Sequence, residues 1–196
     1  MDAAEWMTTT QVLEDLKGRG DSAAWERFNG HFHAMVVRFA RHAGLSAADA
    51  EDAAQETMLT FVKAFREGKY EREKGRLRDW LFGVAKRVTL NIRSRLPREQ
   101  LIGDRTGTSF WEMVEDDDSI ERSWDDEWRK AVLSICLEQA RREMDRGVFR
   151  AFELYALEEK QVGDVAKELK MSRNAVYIAK SRVLARLRQL EEQFEH

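Results

Sequence analysis

Three stretches hold side chains whose types and spacing suit binding chemistry. The first is DAEDAAQE, with carboxylates at Asp49, Asp52 and Glu56, Gln55 among them and Leu59 next. On a helix this spacing puts the group on one side. Like charges one turn apart repel by a few tenths of a kcal/mol. The positive end of the helix dipole offsets this for Asp49 and Asp52, and hardly for Glu56. An exposed leucine bordered by acids and Gln55 suits a protein partner that carries basic residues. A metal site is the weaker reading, because no histidine lies on this stripe. A plain solvated face is the bland alternative.

The second stretch runs from Gly68 to Arg95 and holds nine basic and three acidic residues, with Tyr70, Trp80 and Phe82 interleaved. Cations draw in phosphates and aromatic rings stack on bases, a pairing that suits single-stranded nucleic acid. Against this, Trp80 is also a natural core residue. The third stretch, RNAVYIAKSRVLARLR, carries five basic residues between Arg173 and Arg188 and no acid. Its side opposite the apolar stripe presents Asn174, Tyr177, Ser181, Arg182 and Arg188, flanked by Arg173 and Lys180. Arginine pairs with guanine and asparagine with adenine in the major groove. Further basic residues would hold phosphates. The alternatives are a solvated basic face and a coiled coil, whose seam here is short and lacks acidic partners.

These residues need helices to position them. Ala, Leu, Glu, Arg and Lys dominate the chain, all good helix formers. Pro97 is the single proline, and no alternating β pattern is present. Trp25, Phe28, Phe32, Met35, Val36 and Phe39 recur at helical spacing. Ser46 caps a second helix whose stripe is Ala54, Met58, Phe61 and Phe65, and which ends near Gly68. Leu77, Leu81, Val84, Ala85, Val88 and Ile92 line a third, closed by Pro97. TTTQVLEDLKG predicts a shorter helix before them. SWDDEWRKAVLSICLEQARREM and DRGVFRAFELYAL predict two more after them.

VGDVAKELK then forms one short helix with Val162, Val165, Ala166 and Leu169 inside. Lys170-Met171-Ser172 makes the turn, and Ser172 caps the next helix. There Val176, Ala179, Val183, Leu187 and Leu190 form the stripe. This is the spacing of a helix-turn-helix, whose second helix reaches base edges with residues near its N-terminus.

Charge divides the chain into parts. Residues 1–95 carry +2, residues 96–128 carry −8 and residues 129–196 carry +3. The acidic middle, with Pro97 and two glycines, reads as a linker. We therefore expect an all-α protein of two small helical domains: an N-terminal bundle over 1–95, an acidic linker over 96–122, and a helix-turn-helix domain over 123–196.

Several functions are disfavoured. One cysteine, Cys136 in the apolar context VLSICL, allows no internal disulfide and reads as core. His31 and His33 point to different sides of their helix, with no acidic ligand pair nearby, so a metal site is not expected. No glycine-rich phosphate loop is present, and we expect no enzyme and no cofactor. No apolar run approaches a membrane span, and MDAAEWMTTT lacks the regions of a signal peptide. We expect a cytoplasmic protein.

Together, DSAAWERF, DAEDAAQE, GRLRDWLFGVAKR and VGDVAKELKMSRNAVYIAKSRVLARLR make the chain resemble the extracytoplasmic-function (group IV) sigma factors of bacterial RNA polymerase, members of the sigma-70 family. The resemblance covers Thr10–Arg95 and roughly Arg129–Leu190. It implies a transcription initiation factor in the bacterial cytoplasm that directs core RNA polymerase to promoters. Asp49, Asp52, Gln55, Glu56 and Leu59 would bind the β′ clamp helices. Lys69, Tyr70, Lys74, Arg76, Arg78, Trp80, Lys86, Arg87 and Asn91 would capture and melt the −10 element. Ser172, Arg173, Asn174, Tyr177, Lys180, Ser181 and Arg182 would read the −35 element. The C-terminal domain would grip the β-flap, and the acidic linker would thread polymerase channels. An anti-sigma factor or another regulator is a further implied partner.

The chain departs from the family in three places. Leu77 sits where an aromatic is usual, Lys170 where glycine is common, and Gln161 where Ser or Thr usually caps the first helix of the pair. Two other functions stay open at this point: a dimeric helix-turn-helix regulator with an N-terminal sensor domain, and a helical adaptor that never touches DNA.

Overall fold

A computed structural model describes residues 22–71, 75–96 and 117–195. Among these residues it is all-helical: seven α-helices, one π-helical turn and no strand. The short helix expected at TTTQVLEDLKG, Lys74, Pro97 and most of the acidic linker lie outside the described residues. The chain divides into two compact units, at Ala131 on one side and Val132 on the other.

The first unit holds α1 (Ser22–His42), α2 (Ala47–Arg66), α3 (Leu77–Arg95) and the first half of α4 (Asp117–Glu143). Of the apolar positions expected on α1, Phe28, Phe32, Met35, Val36 and Phe39 are buried, while Trp25 is half-buried. Phe28 stacks on Phe61 of α2, with ring centroids 4.8 Å apart. Ala50, Ala53 and Ala54 are fully buried on α2 and, having no side chain beyond Cβ, let the helices approach closely. Ser46 starts α2 as expected, its Oγ accepting from the Asp49 N–H at 3.1 Å. The Ser46 hydroxyl in turn donates to the Asp49 carboxylate. Both bonds run through the Ser46 Oγ, so the N-cap and the Asp49 carboxylate hold each other at the helix start.

Helix α2 ends at Arg66, and Gly68 follows at φ +70°, where a side chain would be strained. The buried face of α3 is Leu77, Leu81, Val84, Ala85 and Val88. Ile92 is half-buried against the cluster of Ala40, Leu45, Ala50, Ala53, Val84 and Val88. The helix stops at Leu96, which is extended at ψ 140°, as the residue before a proline prefers.

Helix α4 begins at Asp117, inside the stretch read from sequence as linker. Acidic residues at a helix start are favoured by its dipole, so an acid-rich run can open a helix as easily as it can fill a loop. In its first half Ile120, Trp124, Glu127, Trp128 and Ala131 are buried. Trp124 meets Phe39 edge-on at 5.2 Å and Phe82 at 5.4 Å. Trp128 packs on Phe32 at 5.2 Å. Glu127 is 1% exposed and accepts from Arg38 and, at 2.6 Å, from Lys130. Burial pushes the Glu127 carboxyl upward, but the hydrogen bonds and charges of Lys130 and Arg38 outweigh it and hold it below the usual range.

The second unit comprises the rest of α4, α5 (Arg146–Phe152), a π-helical turn (Glu153–Leu157), α6 (Val162–Glu168) and α7 (Arg173–Glu195). Asp145 caps α5 through the N–H groups of Gly147 and Val148. Ala151, Leu154, Val165, Ala166, Val176 and Ala179 make one core cluster. Arg186 of α7 forks onto Glu143 at 2.6 and 3.0 Å. Cys136 is buried here, and burial together with the Glu191 charge pushes its thiol up to about 12. At neutral pH it is a protonated packing group and not a nucleophile.

Helices α6 and α7 form the expected helix-turn-helix. Gln161 opens α6 without a side-chain cap. The turn closes by a Schellman pattern, with Met171 N–H donating to Ala166 O at 2.9 Å and Lys170 N–H to Lys167 O at 3.3 Å. Lys170 holds φ +53° there, so the left-handed conformation is kept without glycine. That backbone costs a non-glycine residue about 1 kcal/mol. Lys170→Gly is expected to raise the melting midpoint of this unit, and an unchanged or lower midpoint would count against strain at this position.

Candidate functional site

On α2 the structure sets Asp52, Gln55, Glu56 and Leu59 on the side away from the core, all exposed, with Leu59 at 67%. Asp49 shares that side but is half-buried, and its carboxylate is taken by the Ser46 cap. Asp49 thus helps start the helix, and the surface group is the other four. No group of His, Cys, Asp or Glu among the described residues is placed to hold a metal ion. His33 instead lies 3.7 Å from Glu51.

The C-terminal half of α2, the loop after it and α3 enclose a cleft of about 570 Å³. Thr60, Lys63, Glu67, Lys69, Asp79, Trp80, Gly83 and Arg87 are among its lining residues. Trp80 is half-buried rather than core. Its ring packs on Phe61 at 4.9 Å and on Tyr70 at 5.0 Å. Tyr70 also stacks on Phe65 at 6.1 Å, and its hydroxyl reaches Gly75 O at 3.3 Å. The aromatic side of the cleft is therefore braced from behind by the domain core. Lys69 pairs with Glu67 at 2.6 Å. That hydrogen bond and charge hold the Glu67 carboxyl below its usual range, so an incoming anion must displace it from Lys69.

Helical spacing sorts the α3 candidates into two sides. Trp80, Arg87 and Asn91 share the cleft side, with Arg76 one turn before them. Arg78 and Lys86 fall on another side. Arg78 pairs with Asp125 of α4 and with Asp79 at 3.1 Å, and Lys86 lies over the Phe82 ring at 5.7 Å. The structure so gathers Lys69, Trp80 and Arg87 in one cleft, leaves Tyr70 outside its lining as a support behind the Trp80 ring, and turns Arg78 and Lys86 away from it. Lys63, which sequence reasoning missed, joins the cleft from α2. Its only sequence signal is its place one turn after Leu59 on a helix that ends beside the basic segment.

On α7, Ser172 uses its hydroxyl as the helix cap, accepting from Ala175 N–H at 3.1 Å. Arg173 leans over Gly163, where an added Cβ would stand 3.3 Å from its Nη2. Lys180 lies over the Tyr155 ring at 5.2 Å, and Tyr177 meets the same ring edge-on at 5.6 Å. Asn174, Ser181 and Arg182 are exposed. A second residue missed from sequence, Ile178, is half exposed among them.

Compared with known protein families, residues 30–98 match the family model for Sigma-70 region 2. The match covers most of α1 together with α2 and α3, and hence both the acidic face and the cleft. No curated protein matches the sequence significantly. Residues 30–98 are thus similar to region 2, a domain found in the sigma-70 family sigma factors. Such a domain binds core RNA polymerase and the promoter −10 element, and sigma factors are initiation factors and not enzymes. No described helix is long and apolar enough to cross a membrane.

Proposed function

We propose that this protein is a sigma factor of the extracytoplasmic-function (group IV) kind, with two DNA-reading units. The exposed group Asp52, Gln55, Glu56 and Leu59 docks on basic residues of the β′ clamp helices. The cleft of Lys63, Lys69, Trp80 and Arg87, with Tyr70 backing the Trp80 ring, holds one unstacked base of the −10 strand. Its aromatic wall stacks on the base while the cations hold the flanking phosphates. Helix α7 reads the −35 element in the major groove, and the second unit grips the β-flap. The linker threads polymerase channels, where its negative charge suits a path otherwise taken by nucleic acid. An anti-sigma factor or a comparable regulator governs when the protein is active.

One observation carries this reading: a braced aromatic cleft edged with cations, within the segment that matches region 2, on a chain whose other unit is a helix-turn-helix. A dimeric regulator or a DNA-free adaptor leaves that cleft without a use. Two weak DNA surfaces on one chain also explain how a protein of net charge −3 binds promoters. Once both are anchored on polymerase, each raises the effective concentration of the other.

The test is run-off transcription with purified core polymerase on a promoter library. Promoter-specific transcripts are expected, and their absence together with absent core binding would defeat the reading. Trp80→Ala should lower open-complex formation about tenfold, given roughly 1–3 kcal/mol per stacked base. Binding to core alone should not change. A Trp80→Ala protein that opens promoters as well as wild type would remove the cleft from the mechanism.

A further inference from the structure

We propose that Ile178 is a specificity-determining residue of α7, its side chain set against the 5-methyl group of a thymine in the −35 element. The inference rests on the −35 reading of α7 given above.

The fold gives no reason for an isoleucine at this position. The core side of α7 is filled by Val176, Ala179, Val183, Leu187 and Leu190, all buried. Ile178 lies on the opposite side and is 50% exposed. β-Branched residues also lose side-chain freedom on a helix, so an exposed isoleucine slightly weakens it. Its neighbours on that side are polar: Asn174 one turn before, Arg182 one turn after, and Ser181 beside it.

The charge around it indicates what covers it. Between Arg173 and Arg188 the helix has five basic residues and no acid; Arg186 is taken by Glu143, while Arg182 and Arg188 stay exposed, a balance that suits a polyanion on this side. In a DNA major groove the thymine 5-methyl is the apolar group on offer, and apolar side chains read it by contact. The stiffness that costs the helix here becomes useful, because a side chain held in one rotamer keeps its methyls at a fixed place between two base-reading neighbours. Arg173 and Lys180 are drawn toward Gly163 and Tyr155. That leaves Asn174, Ile178 and Arg182 as a continuous strip.

The experiment uses holoenzyme formed from the full chain and core polymerase, on promoter fragments selected by that holoenzyme. Each −35 thymine is replaced singly by deoxyuridine, which removes the methyl and nothing else. Wild type should lose about fourfold in affinity at one position, the effect of one buried methyl. Ile178→Ala should bind the thymine fragment about as weakly and no longer distinguish thymine from uracil there. The proposal is overturned if no position is sensitive, if the selected element holds no thymine on either strand, or if Ile178→Ala keeps the sensitivity. It also falls if Ile178→Ala weakens thymine and uracil fragments equally, as a protein contact or a folding role would require. Asn174→Ala and Arg182→Ala separate this failure from failure of the −35 reading. If they weaken promoter binding while Ile178→Ala does not, α7 still reads the element and only the methyl contact is lost. If scrambling the −35 element changes nothing, the −35 reading itself is gone.

Discussion

Exchanging Asp52 and Glu56 together for lysine should lower affinity for core RNA polymerase about a hundredfold or more, with the chain still folded. Removing one partner of a charge pair that binding buries and hydrogen-bonds costs about 2–5 kcal/mol, and setting like charges against each other adds to it. Two reversals against basic residues therefore exceed the roughly 2.7 kcal/mol that a hundredfold change requires. Both side chains are exposed, and neither contributes to the cap, which belongs to Ser46 and Asp49. Moving the lysines into the N-terminal half of α2 costs at most about 1 kcal/mol against the helix dipole. The melting midpoint should then fall by only a few degrees. Titration of labelled protein with core polymerase reads the affinity, and circular dichroism reads the fold. The wild-type affinity should also weaken as salt rises, since exposed charges are screened within a Debye length of about 8 Å at physiological ionic strength. Retained tight binding by a folded double variant would move the polymerase contact away from this face. Asp49 is a poor choice for the same test, because its loss would fray the helix and confuse the two readouts.

The helices themselves were open to sequence reasoning because each carries its own signal. Apolar spacing marks α1, α2, α3 and α7, and Ser46 and Ser172 sit at the starts of two of them. What sequence could not supply is which residues meet across distance. Lys63 and Arg87 face one cleft only because α2 and α3 pack against each other. Arg78 looks like its neighbours in the basic run, yet helical rotation carries it away from the cleft toward Asp125. The start of α4 was hidden for a different reason. Acids favour both a solvated loop and the positive end of a helix, so the run before Ile120 has no single local meaning. Ile178 lies off the apolar stripe by spacing alone, but only its 50% exposure shows that nothing in the described fold covers it. The Glu127 environment was also out of reach, since its Arg38 partner lies 89 residues away.

That pairing leads to the second large effect, at the apolar centre beside it. Trp124→Ala should cost the unit that holds it about 3–5 kcal/mol, the range for emptying a buried large side chain. Trp124 is fully buried between Phe39 and Phe82, and a rigid helical frame collapses only partly into such a void. Its indole N–H finds no hydrogen-bond partner among the described residues. An unsatisfied buried donor is itself a cost, so the tryptophan is kept for its size and not for a bond. Trp124→Phe drops that donor and leaves a smaller void, and should cost only about 1 kcal/mol. Urea unfolding followed by circular dichroism separates the two cases. Equal large losses for Phe and Ala would mean that the indole nitrogen matters after all, and a negligible loss for Ala would place Trp124 outside the core. The neighbouring Glu127 adds a pH dependence of fixed sign. Its carboxyl is held below the usual range in the folded state, so its stabilisation is complete at neutral pH. It is lost as the pH falls below the ordinary glutamate range and through the folded value. In Glu127→Gln that loss should be absent, and its stability should fall less between neutral pH and mild acid than that of the wild type.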